Sequence, residues 1–200
     1  MIIACNMSAC NATELEDRCF PMMAITDVRQ EKVRFAYGFP ELSQKDNTDI
    51  KEADVEVPLT EGGNFAEALD VYEQELSNLA DCNHMKVLVL GESLLTDTER
   101  FNETLDYLRE SEVFPRNSYV CVTGNIEALL EKESSLPEDE GSYLEKFLQH
   151  HESDHAIKLT NLGTLLDEQM NRRLKLELPY VSVEDDAIVW TRDVEISFAE

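Results

Sequence analysis

The chain has 200 residues, of which 42% are hydrophobic and 30% are charged, so it can bury a substantial core as one large or two small domains. Its 42 acidic residues outnumber 17 basic ones, and the formal net charge is −25. A charge of this sign repels phosphate backbones and anionic lipid headgroups, which argues against nucleic-acid binding and electrostatic adhesion to membranes. Attachment to a membrane would need a separate anchor.

Two N-terminal cysteines, Cys5 and Cys10, follow small or apolar residues, as in the tail of a bacterial lipoprotein signal. No basic n-region and no full apolar h-region precede them, although a secretory signal requires both. Either the natural chain starts further upstream, or the match is accidental and the cysteines belong to an ordinary N-terminal arm.

The segment after this arm predicts β-structure. Residues 20–29 and 32–39 carry apolar side chains at strand spacing and predict a hairpin that turns between them. Residues 41–52 are polar and predict an exposed loop. Residues 53–59 alternate again and predict a further strand.

The clearest helix follows a capping pattern. Asn64 can accept a hydrogen bond from the backbone at a helix start, and Glu67 stands three residues later. Apolar side chains then recur at helical spacing over 65–79, which predicts one amphipathic helix.

Residues 84–124 predict a strand–helix–strand unit. The apolar run 85–90, closed by Gly91, is typical of a strand buried on both faces. Thr96 is expected to cap the next helix, and 119–123 form a second run rich in β-branched residues. Two strands joined by a crossover helix lie parallel, so this alternation predicts an α/β core.

Three helices are predicted after the second strand, over residues 125–133, 142–152 and 160–171. Ser142 and Thr160 are the expected N-caps of the last two. The acidic loop between the first two helices is expected to be solvated.

Residues 174–183 and 187–198 predict a C-terminal β-hairpin. Pro179 inside the first of these strands indicates an edge strand or an irregular one, because proline cannot donate to a sheet ladder.

The expected fold class is α/β in the mixed α+β sense, with a central, partly parallel sheet and crossover helices. Residues 1–18 are expected to be a lipoprotein-signal remnant and flexible arm, and 19–124 the α/β core. Residues 125–200 would hold the helical segment and the hairpin, either packed on the core or forming a small second subdomain.

The densest group of possible metal ligands is HHESDH, residues 150–155. His151 and His155 would share a face of a continuing helix and could then bind a divalent metal. The motif is not HExxH, no third ligand is identified, and a helix C-terminus favours histidine electrostatically. We therefore expect no metal site, and we expect His84, before the buried strand, to be structural.

No sequence motif points to catalysis or to a cofactor. Gly91 and Gly124 end strands, but neither lies in a phosphate-binding pattern, and tight turns would explain both. Cys19, Cys82 and Cys121 show no metal-ligand spacing and are expected to be mostly buried thiols. We expect no catalytic residue and no cofactor.

Five segments occur in a recognisable order: ELEDRCFPMMAITD, EGGNFAEAL, HMKVLVLGESL, LDYLRESEVFPRNSYVCVT and LPYVSV. Together they resemble the N-terminal region of the Ger(x)C family, the lipoprotein C subunits of bacterial spore germinant receptors, over residues 10–190. In that family the lipidated cysteine stands shortly before an acidic, Leu-containing segment. The resemblance thus implies lipidation at Cys10, which precedes NATELED.

The resemblance also implies integral-membrane A and B subunits as partners and a place at the spore inner membrane. Family members continue into a larger C-terminal domain, so this chain is expected to be a piece of one or a stand-alone homologue.

The resulting hypothesis is a non-enzymatic, extracytoplasmic lipoprotein that acts in spore germination through protein–protein binding. The alternative is a tethered module that binds a small solute or cation, since strong acidity favours a cationic ligand. A hydrolase whose site is assembled from distant residues is a third class.

Overall fold

The computed structural model describes residues 18–40, 59–132, 139–155, 158–171 and 175–198. The expected N-terminal arm up to residue 17, the loop at 41–52 and residues 53–58 of the expected strand lie outside these ranges. The strands are β1 (Arg18–Cys19), β2 (Met23–Arg29), β3 (Lys32–Gly38), β4 (Thr60–Gly62), β5 (Leu79–Ala80), β6 (Val87–Gly91), β7 (Tyr119–Thr123), β8 (Leu176–Glu184) and β9 (Ala187–Ile196). The α-helices are α1 (Phe65–Glu75), α2 (Glu92–Thr96), α3 (Thr98–Glu110), α4 (Ile126–Glu131), α5 (Glu140–His151) and α6 (Leu162–Asn171).

Seven strands form one mixed sheet in the order β4-β3-β2-β6-β7-β8-β9. Strands β2, β6, β7 and β8 run parallel, whereas β3 pairs antiparallel with β2, and β9 with β8. Strands β1 and β5 form a separate parallel pair. The expected α/β class with a partly parallel sheet is confirmed, and the C-terminal hairpin extends this same sheet. The division of the chain at residue 124 stays a prediction.

Strand β6 lies at the centre of the core. Val87, Leu88, Val89 and Leu90 are each 0% exposed. Because consecutive side chains of a strand point to opposite faces, the sheet must be covered on both faces here, as the unbroken apolar run predicts. None of the described helices has the length and apolar character that a membrane crossing requires.

Both predicted hairpins are confirmed, and each turns through two residues with left-handed backbone. Gln30 and Glu31 have φ of 50° and 63°, and Asp185 and Asp186 have φ of 47° and 65°. Two-residue turns of this kind match the twist of the strands that they join. The first turn sets the β2–β3 register, which matters for the site below.

Pro179 lies in an interior strand, because β8 sits between β7 and β9. Of the two expected alternatives, an edge or an irregular strand, the edge strand is therefore excluded. The expected irregularity is confirmed, since the β8–β9 register shifts between Tyr180 and Val181. Strands β7 and β8 are paired through a single residue pair, Val122 with Tyr180. Because this ladder is so short, the sheet tolerates Pro179, which has no backbone N–H to donate.

Helix α1 begins as predicted. The Asn64 side chain accepts a hydrogen bond from the backbone N–H of Glu67 at 3.0 Å, and the Glu67 carboxylate accepts one from the Gly63 N–H at 2.8 Å. The helix ends at Glu75, however, before the predicted position. Leu79 belongs to β5 and is 58% exposed, because pairing with β1 takes these residues out of the helix.

Thr96, Ser142 and Thr160 are not the N-caps of the three helices for which they were predicted. In each case an Asp or Asn nearby provides the cap, and these residues cap at least as well as Ser or Thr. The capping side chains are Asp97 for α3, Asp139 for α5 and Asn161 for α6, which accept from the backbone N–H three residues later at 3.2, 2.7 and 2.9 Å.

The cysteines in the described part of the chain are thiols and not disulfides, as expected. Cys82 and Cys121 are buried, and Cys19 is half-buried. Burial raises the pKa of the Cys82 thiol to about 11. A thiol with such a pKa is largely protonated at neutral pH, which is typical of a structural cysteine.

Candidate functional site at the carboxyl edge of the sheet

Ligands of α/β proteins usually bind at the carboxyl ends of parallel strands. In this chain the ends of β2, β6 and β7 bring together Asp27, Gly91 and Gly124. Two clusters of charged side chains occupy this edge of the sheet. Their geometry decides whether a small ligand could bind there.

The first cluster is built on the β2–β3 hairpin, whose register places Asp27 opposite Arg34. The Arg34 guanidinium donates to Asp27 Oδ2 at 2.8 Å and to Glu127 Oε1 on α4. Asp27 and Arg34 are only 6% and 7% exposed. Arg29 approaches the same Glu127 oxygen at 3.2 Å from the solvent side. We call these four residues the Arg34 cluster.

The electrostatics of the Arg34 cluster favour the charged states of Arg34 and Glu127. Burial alone would lower the pKa of Arg34, but Glu127 and Asp27 outweigh burial and raise it. The hydrogen bond from Arg34 is the main reason that the pKa of Glu127 is lowered. A lowered carboxyl pKa stabilises the fold above the ordinary pKa, and this contribution is lost as pH falls through the lowered value.

Asp27 Oδ1 has no hydrogen-bond partner among the described residues. It does not point into an open cavity, because a Cβ at Gly91 would overlap the Asp27 carboxylate. Gly91 has an ordinary φ of −66°. The prediction that a tight turn explains this glycine is therefore wrong: Gly91 is needed because the buried carboxylate packs against its Cα.

The second cluster joins α2 to the C-terminal hairpin. The Tyr180 hydroxyl donates to Glu92 Oε2 at 3.1 Å, and Arg192 donates to the other oxygen of Glu92. The Arg192 guanidinium also lies 4.2 Å from the centroid of the Tyr180 ring. A Cβ at Gly124 would overlap the Tyr180 hydroxyl, so close packing explains this glycine too. We call Glu92, Tyr180 and Arg192 the Tyr180 cluster.

The carboxyl edge is thus filled by the protein's own side chains. Two open grooves on the described surface lie elsewhere. One runs along the start of α6 and the facing ends of β8 and β9, and the other lies between α3, α6 and the end of β9. Neither groove contains a residue of the Arg34 cluster or the Tyr180 cluster.

The two histidines of HHESDH do not share a helical face. Helix α5 ends at His151, and His155 follows in an extended conformation. His151 Nδ1 lies 3.3 Å from Asp154 Oδ2, whereas the His155 ring stacks on Trp190 with centroids 3.7 Å apart. The Trp190 indole donates to Asp193 at 2.8 Å. Within the described ranges no group of three or more His, Cys, Asp or Glu side chains could hold a metal ion.

His155→Ala is expected to remove the ring that covers Trp190, the single tryptophan of the chain. The emission of Trp190 should shift to the red, and the free energy of unfolding should fall by about 0.5–1.5 kcal/mol, the usual worth of an aromatic pair. His151→Ala is the matched control, because His151 contacts Phe147 and not the indole. Identical spectra for both variants and the unmodified chain would contradict the stacking.

The residues of the two clusters did not stand out in the sequence. One signal was available: Asp27 and Arg34 are charged positions inside otherwise apolar strand runs, and a two-residue turn at 30–31 pairs them. The contacts of Glu127, Glu92 and Arg192 join residues about 90 to 100 positions apart, so no local pattern reveals them. Cys10 lies outside the described residues, and its lipidation stays a prediction.

Comparison with known proteins identifies a protein family that the sequence matches. A family model described as the spore germination protein N-terminal domain matches residues 11–183. No curated protein matches the chain, and no solved structure does. The match covers most of the sheet and helices, including the Arg34 cluster, Glu92 and Tyr180. The chain therefore belongs to the spore germination protein N-terminal domain family, whose members are germinant-receptor subunits associated with the spore inner membrane.

Proposed function

We propose that this chain is the non-enzymatic, extracytoplasmic domain of a membrane-tethered lipoprotein that acts in a germinant receptor by binding other subunits. The observation that carries the proposal is the family match over residues 11–183, directly after Cys10. A diacylated Cys10 would attach the domain to the membrane, and two acyl chains suffice for stable anchoring. The proposed partners are the integral-membrane A and B subunits of the receptor.

The filled carboxyl edge supports binding of proteins over binding of small solutes. Ligand pockets are concave and mostly preformed, whereas the Arg34 cluster and the Tyr180 cluster close the position where an α/β sheet would hold a ligand. The net charge of −25 would still attract cations. A solute-binding or cation-binding lipoprotein is therefore the competing outcome of the tests below.

We expect Cys10 to carry a diacylglyceryl group when the full-length gene is expressed in a Gram-positive host. Mass spectrometry of the membrane fraction should show this modification, and Cys10→Ser should abolish it and release the protein from the membrane. Cys5→Ser is the matched control and should change neither result. An unmodified product in the soluble fraction would remove the lipoprotein part of the proposal.

Subunit binding is tested separately from anchoring. The affinity-tagged chain, expressed in spores with the A and B subunits, should retain both subunits after detergent solubilisation of the inner membrane. Calorimetric titration of the purified chain with calcium, zinc and free amino acids should show no tight binding. Tight solute or cation binding without retention of either subunit would favour the competing function.

A further inference from the structure

The seven-stranded sheet ends in two strands of very different length. Strand β4, at one edge, has three residues, whereas β9, at the other edge, has ten. Exposed edge strands are usually kept short in natural proteins, because an edge presents unpaired backbone groups to other strands. We propose that β9 is a docking edge on which an extended, basic segment of a partner protein adds an eighth strand to the sheet. This proposal locates the subunit binding of the proposed function and rests on it.

Strand β9 has a single neighbour among the described strands. It pairs with β8 from Ala187 to Ile196, and no other described strand is hydrogen-bonded to it. In an antiparallel pair, about every second residue directs its N–H and C=O away from its neighbour. Roughly half of the ten residues of β9 therefore offer backbone donors and acceptors on the open side. An extended peptide can bind to such an edge through main-chain hydrogen bonds.

The middle of β9 suits a partner strand with apolar side chains. Ile188 is buried, and Val189 and Trp190 are half-buried. The Trp190 ring is held in place, because His155 stacks on it and its indole N–H donates to Asp193. Apolar, β-branched side chains on an added strand would pack beside these residues as ordinary cross-strand neighbours do.

Acidic side chains lie at the start of β9. The turn that leads into this strand carries three of them in a row, Glu184, Asp185 and Asp186. Lys132 lies 2.6 Å from Asp186. Glu184 and Asp185 are exposed and form no ion pair with the residues that the structure describes. This end of the strand therefore carries a net negative charge.

The other end of β9 is also acidic. Glu195 lies directly opposite Glu177 of β8, and like charges in this position destabilise a sheet. Lys175 relieves part of the repulsion, since its ammonium lies 2.9 Å from Glu195, and Lys158 lines the same groove. A lysine or arginine on an added strand would lie beside Glu195 and Asp193 and would reduce the remaining repulsion.

These charges define the chemistry of the partner. An extended segment of about ten residues, apolar in its middle and with lysine or arginine at both ends, matches β9 along its whole length in either direction. The net charge of −25 would also steer a basic segment toward the domain.

A second copy of this chain is a poor occupant of the same edge. Full-length antiparallel pairing of two β9 strands would bring the turn acids of one copy beside Asp193 and Glu195 of the other. Strand β9 also contains an extra residue, Thr191, where its register with β8 shifts. A bulge of this kind twists an edge and disfavours flat pairing between two folded sheets, whereas a flexible peptide can follow the twist.

A synthetic peptide as long as β9 tests the docking edge. It has lysine at both ends and alternating valine and threonine in the middle, and the emission of Trp190, the single tryptophan, reports its binding. A second peptide keeps the lysines but has proline throughout the middle, so it carries the same charge and cannot pair as a strand. The first peptide should bind at least about tenfold more tightly, because it alone can form the backbone hydrogen bonds. Equal affinities, or no binding of the first peptide, would overturn the proposal.

Amide hydrogen exchange locates the bound peptide. The first peptide at saturation should slow exchange within β9 and leave β4, the other edge of the sheet, unchanged. Protection of β4 or of another segment without protection of β9 would place the peptide elsewhere and would also overturn the proposal.

A variant that neutralises one acid at each end of β9 tests the choice of partner. Asp185→Asn with Glu195→Gln should weaken binding of the first peptide by about threefold or more. Both side chains are exposed, and asparagine tolerates the left-handed backbone at position 185, so the fold should be retained. Asp70→Asn with Glu75→Gln is the matched control, because it removes the same charge from α1, which packs on β3 and β4. Equal weakening in both variants would contradict recognition at the ends of β9.

Retention of subunits in spores separates this inference from the proposed function. If the tagged chain retains the A and B subunits but the first peptide leaves β9 unprotected, the docking edge is wrong and the proposed function stands. If β9 binds the peptide but the chain retains neither subunit, the docking edge stands and the proposed function is contradicted. If both results are positive, Asp185→Asn with Glu195→Gln should reduce the amount of retained subunit, and unchanged retention would show that the subunits bind another surface.

Discussion

Arg34→Met is expected to lower the free energy of unfolding by about 3–5 kcal/mol, the usual cost of removing one partner from a buried ion pair. The substitution leaves Asp27, which is 6% exposed, without the guanidinium that lies 2.8 Å from it. Asp27 Oδ1 already lacks a partner among the described residues, so the carboxylate would have no compensation. Equilibrium denaturation in urea measures the change.

Arg29→Met is the matched control, because Arg29 contacts the same Glu127 oxygen from an exposed position, with 62% of its side chain accessible. Exposed ion pairs contribute about 0–1 kcal/mol, so this variant should unfold almost as the unmodified chain does. Asp27→Leu combined with Arg34→Met should recover much of the lost stability, because an apolar pair has no buried charge. Equal effects of the two single arginine substitutions would contradict the buried pair.

Leu88→Ala is expected to cost about 2–5 kcal/mol, since it leaves a cavity in a fully packed strand. Leu88 is 0% exposed and lies between Ala24 of β2 and Val120 of β7. The first of these neighbours is small and the second is held in the sheet, so collapse around the cavity is limited. The midpoint of urea denaturation should fall without a change in its slope.

Leu79→Ala provides the comparison for Leu88→Ala, because it removes the same atoms from a side chain that is 58% exposed. Surface substitutions usually change stability by less than about 0.5 kcal/mol. A negligible effect at Leu88, or an effect as large at Leu79, would show that β6 is not the centre of the core.

The two expectations bear on function in different ways. Leu88→Ala should lower the stability of the whole domain. Arg34→Met should lower stability too, and it also removes a side chain that fills the carboxyl edge. The double variant Arg34→Met with Asp27→Leu can be tested for binding of a cation or solute. If it gained such affinity, the native side chains of the Arg34 cluster would be occupying a potential ligand-binding site. If it gained none, the cluster is a structural element of the core.

Much of the fold could be predicted from local patterns. The unbroken run before Gly91 identified a strand buried on both faces, and Asn64 with Glu67 marked the start of α1. The two hairpins were also predictable, because each needs only two alternating runs and a short turn. These features depend on neighbours within a few residues, where sequence and conformation are directly linked.

Predictions failed where residues compete for one role or where a distant strand intervenes. Asp97 caps α3 in place of the adjacent Thr96, and local propensity separates these two types poorly. Leu79 fits the apolar spacing of α1 but pairs with β1 instead. His151 and His155 have helical spacing, yet the helix ends at the first of them.

The sequence by itself determined the class of fold, the central buried strand, and the family that the match over residues 11–183 confirms. Only the tertiary structure decided what fills the carboxyl edge. Asp27, Arg34 and Glu127 meet there because the β2–β3 register and the position of α4 bring their charges together. Contacts between residues about 90 positions apart depend on how the whole chain packs, and no spacing within a strand or helix encodes them.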